Sequence, residues 1–152
     1  MNPEEQIDRL NLKLPPVPRA GGIYHPVVIA GKLLFVSGQA PCREDGTFIT
    51  GKVGKDLTVD EAKEAACQTG LTMLATLKHE IGSLNKIKRL IKTFGMVNCT
   101  LDFSKHPAVI NGFCELMVEV FGEEYGKGVR SAVGMILPGQ VAVEIEAIFE
   151  LY

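Results

Sequence analysis

The sequence predicts an α+β domain in which two helices cover one face of a single sheet. Three observations lead to this class. Strand-like apolar runs stand near both ends of the chain, at Ile23–Ile29 with Leu33–Val36 and at Val129–Met135 with Val141–Phe149, the last of which alternates strictly. Two capped segments with helical spacing lie between them, and one strand-like run separates those helices. That is too little alternation for a doubly wound α/β fold, so an α+β sandwich is favoured. With 152 residues, 46% of them hydrophobic and 22% charged, the chain is long enough for one sizeable core and needs no disulfide or metal to fold.

The first 20 residues read as an N-terminal arm, and residues 21–152 as a single domain. Asn2 caps a short helix that has Pro3 at its first position and Glu4 and Glu5 in its first turn. Ile7, Leu10 and Leu12 give it an apolar edge. Leu14-Pro-Pro-Val-Pro18 ends it in an extended run, because each proline removes a donor and biases its predecessor away from helix.

Ile23–Ile29 and Leu33–Val36, joined at Ala30-Gly-Lys32, read as a hairpin. Ser37-Gly-Gln-Ala-Pro41 follows, either as a turn or as backbone that a ligand approaches closely. Asp45-Gly46 marks a turn, and Thr47–Val53 reads as a short strand. Thr58-Val-Asp-Glu61 is a capping box opening a helix with Ala62, Ala65, Ala66, Leu71, Leu74 and Leu77 on its apolar face, ended by Gly82. His79 reads as a surface residue favoured by the helix dipole.

Lys88–Val97 reads as a strand. Ser104 caps a second helix whose stripe of Val109, Ile110, Phe113, Leu116, Met117, Val120 and Phe121 is core, and Gly122 ends it. His106 lies in its first turn, and Asn111 sits mid-helix against its weak propensity. Val129–Met135 and Val141–Phe149 read as two strands joined at Leu137-Pro-Gly139. In the second, Glu144 and Glu146 share a face, and Arg130 on the partner strand is placed near them. This group is either a site or a solvated face with a surface ion pair. Val27, Ile29, Leu33, Phe35, Val133 and Met135 predict an apolar sheet face that the helices leave bare, which self-association would cover.

The net charge of −2 offers no basic field for a phosphate backbone and argues against nucleic acid as the main partner. Cys42, Cys67, Cys99 and Cys114 are widely spaced, which points to free thiols and no zinc or redox motif. An acidic N-terminus without an apolar core, and no run of about 18 apolar residues, lead us to expect a cytoplasmic protein with no membrane partner.

Gly22-Ile-Tyr24, Leu34-Phe-Val-Ser-Gly-Gln-Ala-Pro41, Val109-Ile-Asn111, Val129-Arg-Ser-Ala-Val133, and Leu137-Pro138 followed by Val143-Glu-Ile-Glu-Ala-Ile148 occur in this order. Through them the chain resembles the Rid family, also called YjgF, of reactive-intermediate deaminases, some of whose members are named L-PSP endoribonucleases. The resemblance runs from about Gly21 to Leu151. It implies a chorismate-mutase-like fold with a mixed sheet, a homotrimer with sites in the clefts between subunits, and no metal or organic cofactor.

It also implies roles. Arg130 falls on the arginine that holds a substrate carboxylate, Glu144 on a residue that holds the attacking water, and Tyr24, Ser37 and Asn111 on positions lining the pocket. The implied reaction is hydrolysis of enamine or imine intermediates, such as 2-aminoacrylate or 2-iminobutyrate, to 2-keto acids and ammonia. A guanidinium fork matches a planar carboxylate with two bonds, as lysine does not. The alternatives are a non-catalytic trimer that binds a small carboxylate or a protein, and, least favoured, an endoribonuclease. The chain departs from the family pattern at Ala132, where cysteine is common, in a segment one residue short between Arg130 and Leu137-Pro138, in the arm, and in a longer Gly122–Gly128 loop. These departures mark a divergent subgroup.

Overall fold

A computed structural model describes residues 1–152. Helix α1 spans Pro3–Arg9, strands β1 and β2 span Val27–Ala30 and Leu33–Gln39, and helix α2 spans Val59–Ile81. Strand β3 (Ile87–Asn98), helix α3 (His106–Tyr125), strand β4 (Val129–Met135) and strand β5 (Val143–Leu151) complete the chain. The sheet order is β1-β2-β5-β3-β4. All neighbours are antiparallel except β3 and β4, which are parallel. This is the α+β mixed sheet expected, with α2 and α3 on one face. No helix is long and apolar enough to cross a membrane.

The alternation along β5 explains its central position. Val143, Ile145, Ala147 and Phe149 are all buried, and Phe149 is one of the two largest fully buried side chains, with Phe113 of α3. Burying such an aromatic contributes about 1.5–3 kcal/mol, which favours a strand with neighbours on both edges. α2 begins at the Thr58–Glu61 capping box, with both reciprocal bonds formed, and ends at Gly82. Its alanines let α3 come close. A Cβ on Gly112 of α3 would lie 2.0 Å from the Lys63 carbonyl oxygen, so the crossing of the two helices admits no side chain there.

The arm is packed into the domain. Asn2 and Glu5 form a capping box. Glu4 Oε1 accepts from Ser83 Oγ and from the Leu84 N–H, both at 3.1 Å, and Ile7 joins the main core cluster.

Several expected elements differ. β4 and β5 do not pair as a hairpin, because β3 lies between them. α3 carries the chain back along β3, so β4 adds parallel to the free edge of β3, and β5 fills the gap between β2 and β3. β1 starts at Val27, not Ile23, since Pro26 cannot donate to a ladder and Ile23 is fully exposed. Thr47–Val53 forms only isolated bridges, with Phe48 opposite Cys42 and Thr50 opposite Val141. Lys105, not Ser104, precedes α3, without a side-chain cap, and α3 runs on through a kink at Gly122 to Tyr125. His106 opens α3 with Nε2 3.3 Å from Cys99 Sγ.

The bare sheet face also has a different membership. Val27 and Ile29 stand opposite Val36 and Leu34, both buried, so they share the helix-covered side. Val28 pairs with Phe35, and these two with Leu33 and Met135 are exposed. The loop after β4 covers one end of this face, where Leu137 and Val141 pack on Met96.

Candidate functional site

The predicted site residues fall into three groups. The first surrounds Glu144, which points from β5 toward the bare face and is half-buried. It lines a cavity of about 510 Å³ with Tyr24, Gly38, Gln39 and residues of the arm. Burial pushes its carboxyl above the ordinary carboxylate range, and the charge of Glu146 adds to the rise. A Cβ on Gly38 would lie 2.6 Å from Glu144 Oε2, so the carboxylate rests against bare backbone. The Tyr24 hydroxyl accepts from the Gly21 N–H at 3.0 Å, leaving its own hydrogen free to donate into the cavity. Buried Gln39 forms part of the wall. Its amide donates to the Ser37 carbonyl at 3.0 Å, and its oxygen accepts from Thr76 Oγ1 at 2.9 Å.

Ser37 belongs to the second group. It lines a depression of about 270 Å³ on the same face, with Phe35, Lys92, Phe94, Glu146 and Ile148. Its Oγ donates to the His25 carbonyl at 2.7 Å, so its proton is committed and its oxygen faces outward as an acceptor.

The third group lies at the β4 edge of the sheet. Arg130 Nη1 donates to Asn111 Oδ1 at 2.7 Å and to Cys114 Sγ at 3.5 Å. Both bonds use the same nitrogen, which leaves the Nε–Nη2 edge of an exposed guanidinium for a planar anion. This accounts for a mid-helix asparagine: Asn111 places an acceptor where only a donor-rich partner satisfies it. These residues border a small cavity of about 200 Å³, with Thr93, whose buried hydroxyl has no partner.

Arg130 does not lie near Glu144 and Glu146, contrary to the hairpin expectation. Arg130 stands opposite Thr93, which stands opposite Ala147, so its side chain takes the helix-covered side. Glu144 stands opposite Met96 and faces the other way. Glu144 and Glu146 do share a face, as their spacing requires. Sequence reasoning missed three contributors. The close approach at Gly38 was visible only as a glycine beside Ser37, the link between Gln39 and Thr76 joins elements 37 residues apart, and the arm's entry into the Glu144 cavity was signalled only by its prolines. No group of three or more His, Cys, Asp or Glu residues is placed to hold a metal ion, and the four cysteines are free thiols.

Residues 4–142 match the family model described as "YjgF/chorismate mutase-like, putative endoribonuclease". The chain is 38% identical to protein TCP17 of Trypanosoma cruzi over 146 residues, which covers 95% of this chain and 91% of that protein. A Shewanella oneidensis MR-1 protein given the same endoribonuclease description superposes with a TM-score of 0.94 at 31% identity, covering 99% of this chain and all of the other. RidA from the Antarctic bacterium Psychrobacter sp. PAMC 21119 gives a TM-score of 0.61 at 26% identity, over 89% of this chain and 94% of the other.

Proposed function

Since this chain belongs to the YjgF (Rid) family, we propose that it hydrolyses small 2-imino acids to 2-keto acids and ammonia at sites assembled between copies of itself. One observation carries this reading: a guanidinium held ready for a carboxylate and a half-buried carboxylate beside a cavity stand on opposite faces of one chain's sheet. A second copy brings an Arg130 to a Glu144. The exposed apolar residues of the bare face supply a surface for that association, and a homotrimer is the closed assembly the family resemblance favours.

In such a cleft Arg130 grips the α-carboxylate through its Nε–Nη2 edge. Asn111 and Cys114 hold the guanidinium in the orientation this requires. Glu144, with its raised basicity, orients a water against the C=N carbon and takes one of its protons as the C–O bond forms. That proton passes to the imine nitrogen to give a carbinolamine, and as the C–N bond breaks the hydroxyl proton follows through Glu144 to the same nitrogen, so that ammonia leaves and the hydroxyl oxygen becomes the keto oxygen. Tyr24 donates a hydrogen bond, and Ser37 offers an acceptor. Positioning supplies most of the acceleration, because imines already hydrolyse readily in water.

A net charge of −2 and a carboxylate on the cavity wall oppose a phosphate backbone, so the ribonuclease part of the family description is not the reading we favour. The test is direct: ammonia and 2-oxobutyrate are measured on addition of freshly generated 2-iminobutyrate. Acceleration over buffer, lost about ten- to a hundredfold in Arg130→Lys, is the expected result. No acceleration by the parent protein would refute the proposal.

A further inference from the structure

Arg19 is the single cation among the residues lining the Glu144 cavity, and Glu144 is the single anion. None of the chain's four ion pairs includes Arg19. Nor does it neutralise Glu144: a cation in contact would lower that carboxyl, which is instead raised by burial and by Glu146.

The chain leading to Arg19, which is itself exposed, is anchored. α1 is locked to the body through Glu4, whose carboxylate accepts from Ser83 and Leu84 and lies 3.8 Å from Lys78 Nζ. Leu12 and Leu14 pack against the main core, and Pro15 is buried. The Cys42 thiol lies 3.9 Å from the Pro16 carbonyl oxygen. Three of the four residues before Arg19 are prolines, whose fixed φ leaves little chain entropy to lose when a ligand is held. The cavity, at about 510 Å³, lies within the range that takes drug-sized ligands and exceeds what a four-carbon imine fills.

From this arrangement we infer that Arg19 is a specificity-determining residue, and that the preferred substrate is a 2-imino acid carrying a second carboxylate at the far end of its side chain. The inference rests on the proposed reaction. The α-carboxylate goes to Arg130 of a second copy, the reacting carbon lies over Glu144, and the guanidinium at residue 19 is left for the distal anion. A substrate with an apolar side chain leaves Arg19 in solvent and gains nothing from it.

The experiment compares 2-iminoglutarate with 2-iminobutyrate, each generated in place, on the parent protein, Arg19→Gln and Arg19→Lys. The parent is expected to prefer 2-iminoglutarate in kcat/KM by about tenfold or more, from one charge-assisted contact. Arg19→Gln should lose that preference while its rate on 2-iminobutyrate stays within about twofold, and Arg19→Lys should keep part of it. Equal rates on the two imines in the parent, or an undiminished preference in Arg19→Gln, would overturn the inference. Binding of 2-oxoglutarate and 2-oxobutyrate, followed by calorimetry, separates the two readings. Tighter binding of 2-oxoglutarate that disappears in Arg19→Gln supports the role of Arg19 even in a protein that turns over neither imine, and equal binding of the two keto acids rejects it.

Discussion

Two inactive variants of this protein should restore activity to each other. Within one chain, Arg130 and Glu144 lie two strands apart across the sheet and three residues apart along it, about 14 Å between Cα atoms at ordinary strand spacings. Their side chains leave opposite faces, so no rotamer of one chain brings them together. Arg130→Lys keeps an intact Glu144, and Glu144→Gln keeps an intact Arg130. In a cyclic trimer assembled at random from equal amounts of both, a site is whole only where Glu144→Gln donates the arginine and Arg130→Lys the carboxylate. This holds for about one site in four. Each variant alone should show about a tenth of parental activity or less, and the mixture, unfolded and refolded together, should recover about a quarter. The readout is keto-acid release from 2-iminobutyrate, with each variant refolded separately as the control. A refolded mixture no more active than the mean of its components would refute a site shared between copies.

Four further outcomes follow from the geometry and the charges. Gly38→Ala should fold but lose about tenfold or more in kcat, because the added Cβ must displace a carboxylate oxygen 2.6 Å away; an unchanged kcat would show that Glu144 need not be held there. Asn111→Ala should raise KM about tenfold with little change in kcat, since it frees the guanidinium from its 2.7 Å acceptor and leaves the reacting groups alone; a fall in kcat at constant KM would assign Asn111 to the chemistry. The charge of Glu146 helps to raise the Glu144 carboxyl, so Glu146→Gln should move the acid limb of the kcat/KM profile to lower pH, and a profile that stays put would show that another group titrates. The same shift has a stability consequence. A raised folded-state value means that ionised Glu144 costs stability as pH rises through the ordinary carboxylate range toward the folded value. Glu144→Gln should therefore melt higher than the parent at neutral pH, with the difference gone in acid.

Local chemistry made much of this molecule legible. The cap at Asn2, the capping box at Thr58, the stop at Gly82, the apolar stripe of α3 and the alternation of β5 from Val143 to Phe149 depend on neighbours within a few residues, and each appears where its pattern says, although β5 starts at Val143 and not at Val141. The identities of the candidate site residues came from motif resemblance, and the spacing of Glu144 and Glu146 set their common face. Strand pairing is not local. Nothing in the period of Val129–Met135 distinguishes a hairpin partner of β5 from a parallel strand beyond β3, since a short run with no buried residue fits either neighbour. The α3 crossover decides between them, and that choice sends Arg130 to one face and Glu144 to the other. The role of Asn111 as the acceptor for Arg130 Nη1 depends on the packing of α3 against β4. The arrival of Arg19 beside the Glu144 cavity depends on an arm anchored about 80 residues away in sequence, through Glu4 and Leu84. Long-range contacts set these positions, and a local pattern cannot encode them because the same residues satisfy it in either arrangement.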